Sequence, residues 1–70
     1  DYEFNPPKVM RVITQALNVR NDSRSSAMQI DMLKSGDIVL VYEIKEGWCR
    51  ISSHSNRWCY GKYLDLVKVH

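Results

Sequence analysis

Four side chains in this sequence carry obvious reactive or metal-ligating potential: Cys49, Cys59, His54 and His70. A Cys–His pair could act as nucleophile and base if a cysteine were exposed beside the imidazole. His54 falls at the tip of an expected hairpin, however, and the alternating pattern turns both cysteines inward. A structural zinc site needs four ligands, and neither histidine completes a known spacing with the cysteines. No metal and no cofactor is therefore expected. Paired carboxylates and a glycine-rich phosphate loop are also missing from the pattern, so the chain reads as non-catalytic. An even cysteine count leaves two further options, a disulfide or two small buried apolar side chains.

The elements that must position these residues are short. Val9 to Ile13 is apolar and largely β-branched. Ala16 to Arg20 alternates, with Leu17 and Val19 on one face. Asn21 to Ser26 is a polar loop of turn-forming residues. Met28, Ile30 and Met32 again alternate with polar neighbours. Lys34 to Asp37 forms a turn, and Gly36 can supply its positive φ. Ile38 to Tyr42 is the clearest strand. Lys45 to Gly47 turns into Trp48 to Ser52, a loop at 53–56 follows, and Arg57 to Tyr60 is its partner strand. Gly61 and Lys62 break the pattern before a last strand over Tyr63 to Val69. No helical stripe with a cap and a stop occurs. A hairpin loop centred on His54 sets Cys49 opposite Cys59, near disulfide reach. The expected core is Leu17, Val19, Ile30, Leu33, Val39, Val41, Ile51, Cys59 and Leu64.

Size and charge narrow the function. The chain has 70 residues, 44% apolar and 26% charged, with ten basic and eight acidic side chains and a net charge of +2. One small domain of this length buries roughly 60% of the surface its unfolded chain exposes, which leaves little chain for multi-step catalysis. The charge is too small for a nucleic-acid footprint, and the longest apolar run, Ile38 to Tyr42, is far too short to span a bilayer. Residues 1–8 contain Pro6 and Pro7 and no periodicity, so they read as an extended leader before a domain at 9–70. The sequence begins at Asp1 with no signal-peptide pattern, as expected for a mature product or an excised domain.

The order of the short motifs is more specific than any one of them. It runs Ala16-Leu17-Asn18-Val19-Arg20, a polar loop, Leu33-Lys34-Ser35-Gly36-Asp37, then Glu46-Gly47-Trp48, Arg57-Trp58-Cys59 and Tyr63-Leu64. This series resembles the bacterial SH3 domain family (SH3b, or SH3 type 3) over residues 9–67. Arg57 stands where the family usually has glycine, Cys49 where an aromatic is common, and Cys59 where valine is common. The resemblance implies an all-β, SH3-like barrel of five to six short antiparallel strands with one helical turn, Gly61 to Tyr63, before the last. Residues 20–28 would form its first long loop, 43–47 its second, and 52–56 its distal hairpin.

By the same resemblance, Trp48 and Tyr63 flank a ligand groove, with Asn18, Arg20 and Arg24 beside it. The polyproline-binding Ala-Leu-Tyr-Asp-Tyr segment of signalling SH3 domains is replaced here by Ala16 to Arg20, and the acidic loop of those domains is basic. That exchange favours a ligand bearing carboxylates. The implied function is a binding module of a bacterial cell-envelope protein, in the periplasm, secreted or at the cell wall, recognising peptidoglycan or a cell-wall peptide. The alternative is docking onto another domain of the same protein, favoured by the apolar positions Ile38, Leu40 and Tyr42. Nucleic acid and membrane insertion are not expected.

Overall fold

A computed structural model describes residues 1–68. Val69, the end of the expected last strand, and His70 lie outside them. The chain forms a strongly coiled antiparallel sheet of seven strands: β1 (Tyr2–Val12), β2 (Ala16–Arg20), β3 (Gln29–Lys34), β4 (Ile38–Lys45), β5 (Trp48–Arg50), β6 (Trp58–Tyr60) and β7 (Leu64–Leu66). Their order across the sheet is β3-β2-β6-β5-β4-β1-β7. A 3-10 turn at Gly61–Tyr63 precedes β7, as the family resemblance implies. The seven strands correspond to the seven strand-like runs in the sequence, one or two more than the five to six the resemblance implies.

The turns follow the local chemistry. Gly36 takes φ 91° in the turn joining β3 and β4, where Lys34 N donates to Asp37 Oδ2 at 2.8 Å. The expected loop at 43–47 contracts, since β4 runs on to Lys45, which pairs with Trp48. Only Glu46 and Gly47 remain in the turn, at φ 50° and 84°. Two left-handed residues in succession match the twist of a tight hairpin.

Residues 1–8 are extended and run along β4. Tyr2 pairs with Ile44 and Glu3 with Glu43, the register breaks between Glu3 and Lys8, and pairing resumes at Lys8↔Val41. Pro6 and Pro7 fall inside the break, where their missing N–H groups cost no ladder bond.

The core cluster is Val12, Leu17, Val41, Cys49, Cys59 and Leu64, with Leu33, Val39 and Ile51 packed against it. Val19, Ala27 and Trp58 are buried as well. Ile30, expected in the core, is 42% exposed. Its position follows from register: Leu33 pairs with core Leu17 and turns inward, and Ile30, three residues earlier, falls on the other side of β3.

Asp31 pairs with Val19 yet stays exposed on an outer strand. Arg57 Nη2 bridges its Oδ2 at 2.7 Å and ties β3 to the start of β6. That hydrogen bond is the main cause holding the Asp31 carboxyl below its ordinary 3.8. A depressed carboxyl pKa contributes stability above its unfolded value, and the contribution is lost as pH falls through the folded value. The native chain should therefore lose stability below about pH 4 more steeply than Arg57→Gln, as read by urea midpoints across pH. Parallel curves would show that the pair contributes nothing.

Gly61 is required for space. A Cβ there would lie 2.9 Å from Cys49 Sγ and 3.0 Å from Gly47 O, and the backbone oxygen cannot swing away. Gly61→Ala should destabilise by about 1–3 kcal/mol in urea unfolding. Adding Cys49→Ala should recover part of that loss.

Candidate functional site

The β5–β6 hairpin sets the site. Cys49 opposes Cys59 toward the core, so Trp48 and its partner Tyr60 project to the other side. Their rings meet edge to face with centroids 5.3 Å apart, and Tyr60 lies 6.2 Å from Tyr63 at the same 60° tilt. Trp48, Tyr60 and Tyr63 therefore make a continuous aromatic row from β5 through β6 to the 3-10 turn. Gly47 backs this row, since a Cβ there would touch Tyr60 Cε1 at 3.4 Å. Lys62 Nζ lies 5.9 Å from the Tyr63 ring centre.

One side of the row faces an open cleft of about 260 Å³ lined by Thr14, Ala16, Leu17, Asn18, Arg20, Trp48, Tyr60 and Tyr63. Alternation along β2 explains the far wall: Leu17 and Val19 turn to the core, and Asn18 and Arg20 turn outward. Arg20 is the sole ionisable cation in that lining. Its Nη1 donates to Ala27 O at 3.0 Å, which anchors the guanidinium against the loop after β2. A second depression of about 380 Å³, mostly apolar, lies between Ser25 of that loop and the same two rings, Trp48 and Tyr60. The Trp48–Tyr60 pair thus lines two depressions, one with Arg20 and Asn18 in its wall and one more apolar.

Four residues singled out from the sequence, Trp48, Tyr63, Arg20 and Asn18, come together in this cleft. Arg24 does not line it. Its Nη1 pairs with Asp22 Oδ2 at 3.0 Å on the exposed outer side of the loop. Tyr60 went unnoticed as a site residue, yet the hairpin register that opposes the cysteines also places Tyr60 beside Trp48.

Trp58 shares the outward side with its cross-strand neighbours Arg50 and Arg20, and is nevertheless buried. It does not line the cleft.

The SH3b_T domain family matches this chain over residues 10–67. No curated protein and no solved structure gives a significant match. Among the described residues, no group of three or more His, Cys, Asp and Glu side chains is placed to hold a metal ion. No helix among them is long and apolar enough to cross a membrane.

Cys49 and Cys59 are both buried free thiols. Burial pushes Cys49 up to about 11 and Cys59 to about 12, the latter with help from the neighbouring Cys49. His54 lies on the exposed loop, where Ser53 Oγ approaches its Nδ1 at 3.1 Å, and forms no pair with either thiol. Thiol reactivity requires the thiolate, so both sulfurs should be inert to iodoacetamide in the native chain at pH 8 and alkylate fully in denaturant, as counted by mass spectrometry. A raised thiol pKa contributes stability below the unfolded value and loses it as pH rises toward the folded one. Reduced protein should accordingly weaken above about pH 9, and Cys59→Ala should flatten that limb.

Proposed function

This chain belongs to the SH3b_T domain family, and from that premise we propose that it holds a peptidoglycan peptide in the cleft at Trp48, Tyr60 and Tyr63. SH3b domains are generally binding modules, and the proposal names the ligand and the compartment, the bacterial cell envelope. The observation that carries it is the pairing of a flat aromatic row with one anchored cation in a single cleft. An extended peptide offers apolar side chains and backbone amides to the rings. A stem peptide adds free carboxylates, and the planar guanidinium of Arg20 suits a carboxylate better than a point charge would. Asn18 and Thr14 supply neutral hydrogen-bonding groups of the kind that orient a backbone. Arg24, already paired with Asp22, has a supporting role at most in drawing anionic ligands to the loop.

A second reading rests on a different face. Val9 and Leu40 are cross-strand partners, Ile38 lies two residues along, and all three are exposed, at 39%, 42% and 53%. An apolar strip of this kind suits docking against a neighbouring domain of the same protein.

Co-sedimentation of the purified chain with bacterial sacculi tests the first reading. Trp48→Ala should weaken binding about tenfold or more, the usual effect of removing a central aromatic anchor. A tripeptide with a free terminal carboxylate should bind more tightly than its amide, and Arg20→Gln should erase that preference. Equal affinity for acid and amide in the native chain would exclude carboxylate recognition. Sedimentation retained in full by Trp48→Ala would count against the first reading.

A further inference from the structure

A second cleft lies on another part of the surface, and half of its wall comes from residues that precede the family match. Glu3, Phe4 and Asn5 face Tyr42, Arg50 and Ser53 across about 420 Å³. It exists because β1 leaves its register with β4 after Glu3. A bulge re-aims the side chains it carries, and here the break frees Phe4 and Asn5 from the ladder. The start of the segment is held by Glu46 N, which donates to Asp1 Oδ1 at 3.0 Å.

The opposite wall is fixed by Arg50. Its Nε donates to Glu43 Oε1 at 3.1 Å, its Nη1 donates to Ser52 O, and its guanidinium carbon lies 5.9 Å from the Tyr42 ring centre. On the near side Lys8 Nζ lies 5.6 Å from the Phe4 ring centre. The charges around the cleft therefore balance, with Glu3 and Glu43 against Lys8 and Arg50. An anion meets two carboxylates and a cation meets two basic groups, so a charged ligand gains little from either sign. What remains is a set of donors and acceptors, Glu3, Asn5, Ser53 and the Arg50 guanidinium, beside two aromatic rings. Arg50 and Ser53 also line an adjoining polar depression of about 340 Å³ with His54, Ser55 and Asn56.

We propose that this trough is a saccharide site, taking a neutral sugar chain whose ring hydroxyls meet the polar groups while its C–H face lies on Phe4 or Tyr42. Paired hydroxyls both donate and accept, which suits a carboxylate, an amide and a guanidinium set close together, and an amphipathic ring face suits an aromatic wall. The site is independent of the Trp48 cleft, and neither needs the other.

The test is a nitrogen-15 NMR titration of the whole chain with two neutral probes, chitotetraose and maltotetraose. Saturable shifts at Phe4, Asn5, Tyr42, Arg50 and Ser53 are expected with at least one probe, at a Kd of about 1–10 mM, while Trp48 and Tyr63 stay still. Tyr42→Ala should weaken binding at least about fivefold, and Asn5→Ala, in the unpaired bulge, should do so without risk to the sheet. Trp48→Ala should leave saccharide binding unchanged while removing the peptide response. No shift with either probe, or shifts confined to the Trp48 cleft, would overturn the proposal. So would unaltered binding in both Tyr42→Ala and Asn5→Ala.

Discussion

Gly61 packs tightly against the start of the β5–β6 hairpin. Its N–H donates to Gly47 O at 2.8 Å, and Cys49 Sγ fills the space a Cβ would need. This contact locks the hairpin register. With Cys49 opposite Cys59 in the core, Trp48 and Tyr60 must share the outer side. A slip of one residue would bury the aromatics and expose the thiols. The same glycine starts the 3-10 turn that brings Tyr63 beside Tyr60. Core packing and cleft geometry are thus two sides of one constraint, and a small sulfur at position 49, where the family commonly places an aromatic, leaves room for it.

The outer strands are secured by different means. β7 is held by β1, through Met10, Arg11 and Val12. β3 has one strand partner, β2, and carries the exposed Asp31, which Arg57 reaches from across the sheet. A charge on an outer strand disfavours pairing with a second chain, because a flat apolar edge is what such pairing needs. Arg57 replaces the glycine usual at its position, so this tie depends on a departure from the family pattern. The exposed ion pair contributes modestly to stability, and its geometric effect on β3 is the larger consequence.

Much of this was legible in the sequence because period-two alternation and turn residues are local signals. They located the strands, the turn at Gly36 and the facing cysteines, and the family resemblance supplied the helical turn at Gly61 and the groove residues Trp48 and Tyr63. Four of the five proposed ligand contacts fall in one cleft, and alternation along β2 explains why Asn18 and Arg20 face it. The misses have non-local causes. Ile30 looks like core until β3 is registered against β2, which gives the inward position to Leu33. Arg24 is the local exception, since Asp22, two residues earlier, pairs with it. Prolines at 6 and 7 hide the pairing of Tyr2 and Glu3 with β4, because only the residues between Glu3 and Lys8 leave the ladder.

The two arginines of the loop region show why proximity in sequence to a groove is a poor guide to its chemistry. Arg24 is exposed and bonded to a carboxylate, so an incoming anion must compete with Asp22 while ordering a long side chain, at a cost of about 1 kcal/mol in rotamer freedom. Arg20 is half-buried, and one end of its guanidinium is already committed to a neutral carbonyl, Ala27 O. That bond leaves the charge uncompensated and removes most of the freedom that binding would otherwise have to remove. A charge-assisted contact from a held guanidinium is therefore stronger than one from a mobile neighbour of equal charge. The same reasoning separates the two clefts. Arg50 is held as firmly as Arg20, but by a carboxylate, so what it presents is directional hydrogen bonding with little net charge. One side chain type, restrained by a carbonyl in one place and by Glu43 in the other, makes one cleft cationic and leaves the other near neutral.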